Sequence, residues 1–390
     1  MTDQAPSKRR SAFAELTVTD VRRLTADSVE VAFTVPPELR EQYDYVPGQY
    51  VALRKDLEVG GETREYRRSY SLCAPPRTLP DGSGEIRVAI KRDLGGVFST
   101  WANERLQAGD RIDIMNPAGA FVSRHQSTSL NHPEALAAEV RNEDVFVAVA
   151  AGSGITPIMA IVRTLLTENP NARIDLIYAN RSAADVMFLE ELADMKDAWP
   201  SRLAVHHVLS REQRISPLLS GRLDSEKIER LLGAVIRPEH VDEWFLCGPF
   251  ELVQLVRDSL ADRGVPEDRV RFELFTTGAA REVEGQRGRA VVESSGPSFE
   301  VGFTLDGLQG TVQSPVAARE TILNAALRVR PDVPFACAGG VCGTCRAKVV
   351  EGSAEMDENY ALEKDEIENG YILTCQSRPT SERILVDYDA

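Results

Sequence analysis

The sequence predicts a multidomain protein built from three successive folds: an antiparallel β-barrel, an α/β unit with a parallel sheet, and a small α+β unit. Three observations lead there. Short strand-like runs separated by Gly and Pro fill residues 14–122. From Asp144 onward, strands alternate with helices. Beyond a small, polar stretch, four cysteines gather near the end, at Cys337, Cys342, Cys345 and Cys375. A length of 390 residues accommodates this division at roughly 100–200 residues per domain.

The first unit is expected over residues 12–125. ELTVTDVRRL, VEVAFTV, GQYVALRK, RRSYSLC and EIRVAIKR alternate apolar and polar side chains, as half-buried strands do. GVFSTWANERL, after Gly96, starts a helix, and the polar residues 123–143 are a connector. The second unit is expected over residues 140–275. DVFVAVAAGSGITP is a buried strand entering a Gly-rich turn. IMAIVRTLL, VMFLEELADMKD and FELVQLVRDSLADRG are helices, and ARIDLIYANR, LAVHHVLS, EWFLCGP and RVRFELF are strands. Residues 276–298 have a linker's composition. The third unit, residues 299–390, opens with the hairpin FEVGFTLDG and LQGTVQS, followed by the amphipathic helix ETILNAALRV.

Composition narrows the function. Apolar residues at 43% and charged residues at 27% suit a globular protein. A net charge of −15 repels phosphate backbones and argues against nucleic-acid binding. The N-terminal segment lacks an apolar core, so no secretory signal is expected. The most apolar stretch, Val145 to Ile161, is broken by glycines and a proline and falls short of the ~20 residues of a membrane span. A cytoplasmic protein with no membrane partner is expected.

The cysteine spacing is C-x4-C-x2-C, then 29 residues to Cys375. This is the plant-type [2Fe–2S] spacing. Two sulfide-bridged irons need four thiolates. A tight loop supplies three, while Gly339, Gly340 and Gly343 let its backbone turn N–H groups toward the sulfurs. ILTCQSRP brings the fourth from a distant segment. Zinc favours two CxxC-like pairs, and this chain has one.

AAGSGITP lies between a strand and a helix. Gly152 and Gly154 permit close approach of a dinucleotide, and the helix N-terminus after Thr156 offers free N–H groups to its pyrophosphate. It is not the GxGxxG fingerprint, so a mere tight turn stays open. Cys247, Gly248 and Pro249 repeat the strand–Gly–Pro–helix form, and two such turns make a crevice. Cys247 is equally readable as a small buried residue. Arg181 and Ser182 end the next strand, where an adenosine ribose would lie. An Arg there suits a 2′-phosphate, so NADPH is favoured over NADH. In RRSYSL, Arg68 and the helix start at Gly95 to Ser99 could hold a second pyrophosphate, with Tyr70 stacking on a flat ring.

Taken in order, R-x-Y-S, G-G-x-x-S, G-S-G-I-T-P, C-G-P and the cysteine loop resemble the ferredoxin–NADP reductase family, fused to a plant-type ferredoxin of β-grasp fold as in reductases serving bacterial oxygenases. The resemblance spans residues 12–389. It implies that Arg68 pairs with the FAD pyrophosphate, Tyr70 stacks on the isoalloxazine, and Ser71 hydrogen-bonds near N5. Gly96, Val97 and Ser99 would cap the FAD phosphates. Gly152, Gly154, Thr156, Arg181, Ser182, Cys247, Gly248 and Pro249 would receive the nicotinamide nucleotide. Tyr70, Ser71 and Cys247 would surround the reacting rings. Glu273 and Phe275 match the family's E-x-F. Cys337, Cys342, Cys345 and Cys375 would ligate the cluster. LLSGRLDSEKIERLL, the NYALEKDEIENG region and the ending VDYDA are similar to reductases of phenylacetyl-CoA epoxidases; reductases of ketosteroid hydroxylases share YANR and the cluster loop.

The parts make sense together. A nicotinamide delivers two electrons at once, an oxygenase centre takes them singly, and a flavin with a one-electron cluster reconciles the two. The oxygenase component would be the partner. Residues 351–368 hold eight acids and one lysine, an acidic face that could steer that partner. A redox-sensing iron–sulfur protein is the alternative outside enzymology, although it would not need the flavin and nicotinamide motifs.

Overall fold

The computed structural model describes residues 13–59, 61–93, 95–125, 144–234, 236–275, 296–305, 307–330, 333–335, 340, 343–359, 361, 362 and 364–390. Among these residues the strands fall into three main sheets. The first contains β1 (Phe13–Thr25), β2 (Ser28–Val35), β3 (Tyr50–Val59), β4 (Glu62–Ser71), β5 (Arg77–Thr78), β6 (Gly84–Lys91) and β7 (Arg111–Met115). Its order is β4-β3-β7-β1-β2-β6-β5, with every pairing antiparallel. A bridge from Leu72 to Val88 brings the end of β4 onto β6 and curls the sheet into a barrel. Val29, Val31 and Phe33 of β2 and Leu53 of β3 fill it, and α1 (Val97–Glu104) plugs it with Phe98 and Ala102.

The second sheet contains β8 (Asp144–Ala151), β9 (Ala172–Asn180), β10 (Leu203–Leu209), β11 (Glu243–Gly248) and β12 (Val270–Leu274). Its order is β10-β9-β8-β11-β12, all parallel. Both faces are covered, which is why β8 and β11 read as continuous apolar runs. On one face lie α2 (Ile155–Glu168) and α3 (Leu189–Ala198); on the other lie α4 (Ser225–Ala234) and α5 (Phe250–Asp262). The helix expected from Val186 starts only at Leu189, because Phe188 takes a left-handed conformation (φ 59°) that buries its ring. Chain order reverses between β8 and β11, so the crevice beyond their carboxyl ends is the topological switch point. The barrel's Cys73, Ala89 and Phe121 sit inside the core that β8, α2 and α3 form.

The third sheet contains β13 (Ser298–Leu305), β14 (Leu308–Pro315), β15 (Arg346–Glu351), β17 (Tyr371–Leu373) and β19 (Arg383–Asp387), in the order β14-β13-β19-β15-β17. β13 and β19 are parallel and the other pairs antiparallel, giving a β-grasp. β13 and β14 form the expected hairpin. β16 (Ala354–Met356) pairs with β18 (Ser377–Pro379) beside it. α6 (Ile322–Leu327) is capped by Thr321, whose Oγ1 accepts from the Asn324 amide at 3.3 Å, and it buries Ile322, Leu323, Ala325 and Ala326. α7 (Lys364–Glu368) precedes β17. Among the described residues, no helix is long and apolar enough to cross a membrane.

Candidate active site

Strand β4 organises the site through its two-residue period. Side chains 67, 69 and 71 point to one face, and 68 and 70 to the other. On the second face the Tyr70 ring lies 5.9 Å from that of Phe98, the first buried ring of α1. Burial pushes the Tyr70 hydroxyl up, so it stays protonated. Arg68 Nη1 donates to the Arg67 carbonyl at 2.7 Å. Burial likewise pushes the Asp93 carboxyl up, against the pull of Arg68 and Lys91. α1 begins after Gly96 with no side chain capping it, so its first amides are left for an anion. Ser99 Oγ is spent within the turn, accepting from the Asp93 amide at 3.1 Å. Arg68, Tyr70, Gly96, Val97 and Ser99 therefore come together as a cation, an aromatic face and a helix N-terminus. This donor set fits the pyrophosphate and ring of FAD.

On the first face, Ser71 Oγ donates to Glu273 Oε2 at 3.3 Å, joining β4 to β12 across the crevice. Burial raises the Glu273 carboxyl to about 7, and the Ser71 hydrogen bond only partly offsets this. Glu273 is in register with Cys247 on β11. Cys247 is fully buried, and burial, reinforced by the Glu273 charge, pushes its thiol well up. A neutral thiol there packs and is no nucleophile.

The two glycine turns meet backbone to backbone. A Cβ on Gly154 would lie 2.2 Å from the Cys247 carbonyl oxygen, which explains why no side chain stands there. Gly152 takes φ +54°, and its carbonyl accepts from Tyr178 Oη at 2.9 Å. α2 starts without a side-chain cap, while Thr156 is buried and donates its hydroxyl to Ser153 O at 3.0 Å. Thr156 thus braces the turn. Gly248 O accepts from the Phe275 amide at 3.0 Å, and Pro249 sits at the start of α5. The Ile155 amide that opens α2 is spent on the Gly152 and Ser153 carbonyls, while the closely packed glycines and the absence of a side-chain cap fit a dinucleotide pyrophosphate.

Arg181 and Ser182 sit just past β9. The guanidinium is engaged by two acids: Asp185 at 2.5 Å and the barrel's Asp27 at 3.4 Å. Ser182 Oγ donates to Asp185 at 2.5 Å. Burial would raise the Asp185 carboxyl, but hydrogen bonds from Ser182 and Arg181 hold it below its usual range.

Cys345 and Cys375 are both buried. Their segments are stitched together: the Thr374 amide and hydroxyl donate to Cys345 O at 3.1 and 3.0 Å. Beside them the Tyr388 hydroxyl donates to Thr374 Oγ1 at 3.0 Å, and burial pushes that hydroxyl up despite the Thr374 contact. A pair of sulfurs so held fits two ligands of an iron–sulfur cluster. Cys337, Cys342 and Gly339 lie outside the described residues. Gly343 is described, and the barrel's Arg67 Nη1 comes within 3.5 Å of the place its Cβ would occupy. Next along the chain, Thr344 Oγ1 lies 2.6 Å from Ser69 Oγ. The described end of the cysteine segment, Gly343 and Thr344, thus rests on β4, two residues from Ser71.

The acidic stretch is less free than its composition suggests. Glu366 is shared by Arg67 and Arg346, Asp357 pairs with Arg378, and Glu351 lies 3.7 Å from Arg383. Sequence reasoning missed Arg67, Ser69, Thr344, Arg346 and Glu366. The available signal was the run of polar residues at alternate positions 67, 69 and 71, one face too polar for a barrel interior.

Comparison with known proteins agrees with this geometry. Residues 15–122 match the oxidoreductase FAD-binding domain, residues 148–258 the oxidoreductase NAD-binding domain, and residues 303–380 the 2Fe-2S iron-sulfur cluster binding domain. The chain is 37% identical over 385 residues to one of the subunits of the 1,2-phenylacetyl-CoA epoxidase of Escherichia coli (strain K12), covering 97% of this chain and 99% of that protein. It is 32% identical over 388 residues to the ferredoxin reductase component of 3-ketosteroid-9-alpha-monooxygenase of Rhodococcus rhodochrous, covering 99% of each. Among solved structures, phthalate dioxygenase reductase shares the fold, with a TM-score of 0.51 and 22% identity over 96% of this chain and 98% of that one.

Proposed function

The chain belongs to the family of FAD- and NAD-binding oxidoreductases that carry a 2Fe-2S domain and serve as reductase components of oxygenases, and from that premise we propose that it carries electrons from NADPH to the oxygenase of a phenylacetyl-CoA epoxidase. The observation that carries the choice of partner is the 37% identity to a component of that epoxidase along essentially the whole of both chains. The proposed division is residues 12–125 for FAD, 140–275 for the nicotinamide nucleotide, 276–298 as linker and 299–390 for the cluster. The three sheets support the three units, while residues 276–295 of the linker lie outside the described residues. We place the reaction in the cytoplasm, in keeping with the buried, reduced thiols of Cys73 and Cys247.

When bound, FAD accepts an electron pair from the nicotinamide and the 2Fe-2S cluster carries electrons singly, which matches a two-electron donor to a one-electron acceptor. The chain's residues supply position and charge. Arg68 and the start of α1 at Gly96, Val97 and Ser99 would neutralise the FAD pyrophosphate, with Tyr70 against the ring; the Gly96 amide itself is spent on the Asp93 carbonyl at 3.1 Å. Gly152, Gly154 and Thr156 would shape the pyrophosphate turn for the nucleotide, and Cys247, Gly248 and Pro249 the floor beneath its nicotinamide. Ser71 and Glu273 would hold a proton at the crevice edge, because burial pushes the Glu273 carboxyl up to about 7. Cys337, Cys342, Cys345 and Cys375 would ligate the cluster. Arg181 and Ser182 would meet the 2′-phosphate. One observation favours NADH as a second reading: Asp185 and Asp27 already occupy the Arg181 guanidinium.

Mixing the purified chain with the oxygenase component of the epoxidase, NADPH and phenylacetyl-CoA should yield epoxide. No product there, with turnover restored by a 3-ketosteroid oxygenase, would transfer the chain to the second group of relatives.

A further inference from the structure

We propose that Glu366 latches the cysteine-bearing unit onto the FAD barrel and so acts as a positioning residue for electron passage between them. Four charged side chains form a closed ring of alternating sign across the seam, two from each side. Arg67 Nε meets Glu65 Oε1 at 2.8 Å, and Arg67 Nη2 meets Glu366 Oε1 at 2.9 Å. Arg346 Nη1 meets the same Glu366 oxygen at 2.7 Å, and its Nη2 lies 3.8 Å from Glu65 Oε1. Glu65 and Arg67 belong to β4, Arg346 begins β15, and Glu366 lies on α7.

Three of the four members are largely dry, with Arg67 8% exposed, Glu366 12% and Arg346 18%, while Glu65 reaches toward solvent at 31%. Aromatic rings hold both guanidiniums, Tyr371 at 4.3 Å from Arg346 and Phe13 at 5.4 Å from Arg67. The Ser69–Thr344 hydrogen bond lies one strand repeat from Arg67, and Thr344 precedes Cys345. Closing the ring therefore sets Thr344 and the adjoining Cys345 against β4. Among the described residues, the barrel and the third unit keep separate buried apolar cores, and the seam between them carries these polar contacts. Losing the Glu366 charge leaves two guanidiniums facing one carboxylate, an unbalanced charge in a dry seam. No bond forms or breaks at Glu366; the electron leaving the FAD site arrives at the cluster site.

The inference rests on the flavin-to-cluster reading above, and its test separates the two. In the full chain, Glu366→Gln should enlarge the radius of gyration by small-angle scattering and speed amide exchange over residues 67–71. Flavin reduction by NADPH should be unchanged, while cluster reduction slows about tenfold and loses its salt dependence. Arg67→Gln, on the barrel side, should do the same, and it decides the matter if the first variant does not fold. The double variant should be no worse than either single one. Wild-type scattering and exchange in Glu366→Gln, or additive losses in the double variant, would overturn the latch. Unaltered protein that docks normally yet never reduces a cluster would instead sink the electron-transfer reading.

Discussion

The barrel makes two seams, and they are built differently. Against the parallel sheet it shares a core: Cys73, Ala89 and Phe121 are packed among residues of β8, α2 and α3. Ion pairs flank that core. Glu30 takes Arg87 at 3.0 Å and Arg22 at 2.8 Å, and Glu191 takes Arg22 and Arg163. Around them opens a cavity of about 430 Å³ that holds none of the candidate site residues. Against the β-grasp unit the contacts include the charged ring and a hydroxyl pair. The difference matches the chemistry each seam must serve. Hydride transfer depends on reacting atoms aligned at ~3–3.5 Å, which a shared core can hold. A single electron tolerates looser registration, so a polar seam suffices. β4 borders both, with Ser71 on the first seam and Arg67 and Ser69 on the second.

The largest expected effect disables the second seam and spares the first. Cys345→Ser should remove the cluster and depress delivery to a one-electron protein acceptor beyond the ~100-fold that losses around a metal's ligands produce. Reduction of the flavin by NADPH should persist. Iron and acid-labile sulfur assays with paramagnetic resonance check it; a retained cluster signal would contradict the ligand assignment. Next comes a break in the first seam. Gly154→Ala puts a Cβ where the Cys247 carbonyl stands, 2.2 Å away. The β8 turn and β11 must then separate, at a cost of about 1–3 kcal/mol. A shift of that size should slow flavin reduction by roughly 100-fold. Calorimetry and stopped-flow absorbance read the two effects, and a wild-type hydride rate would remove the glycine contact from the mechanism.

These two sites were also the legible ones. Glycines between a buried strand and a helix, and cysteines at cluster spacing, are local patterns that side-chain chemistry explains without a third dimension. α4 left a signal that went unassigned: Asp224 accepts from the Lys227 amide at 3.0 Å, and Ile228, Leu231 and Leu232 follow at helical spacing. The charged ring left almost none. Arg67 and Glu366 are 299 positions apart, and charges on a surface strand and a short helix look like solvated faces until the fold joins them. The same holds for Asp27, 154 positions from Arg181.

A smaller effect sharpens the contrast through pH. Glu273 sits in the first seam with its carboxyl at about 7 against an ordinary 4.5. Between those values the unfolded chain has lost the proton and the folded one keeps it, so stability falls as pH rises from 4.5 through 7. The loss reaches at most about 3 kcal/mol above pH 7. Glu273→Gln should flatten that slope and erase an inflection near neutrality in the flavin-reduction rate. The salt response of the second seam should be untouched. Denaturant titrations at pH 5 and pH 8 decide it; an unchanged slope in the variant would assign the pH dependence to another group.

The smallest effect lies at the rim of the first seam, where Arg181 bridges Asp27 of the barrel and Asp185 beyond β9. The guanidinium is half exposed, so its ion pairs contribute only ~0–1 kcal/mol to stability, and Arg181→Ala should melt almost normally. Nucleotide choice is another matter. A 2′-phosphate must draw the guanidinium away from Asp185, so the gain from binding it is reduced by the contact given up. Arg181→Ala should therefore weaken NADPH by about tenfold and NADH by much less. Asp185→Asn should move NADPH affinity the opposite way, because it frees the same guanidinium without removing it. Equal losses for both nucleotides in the first variant, with no gain in the second, would mean that the 2′-phosphate is read elsewhere and that Arg181 only ties the barrel to the sheet.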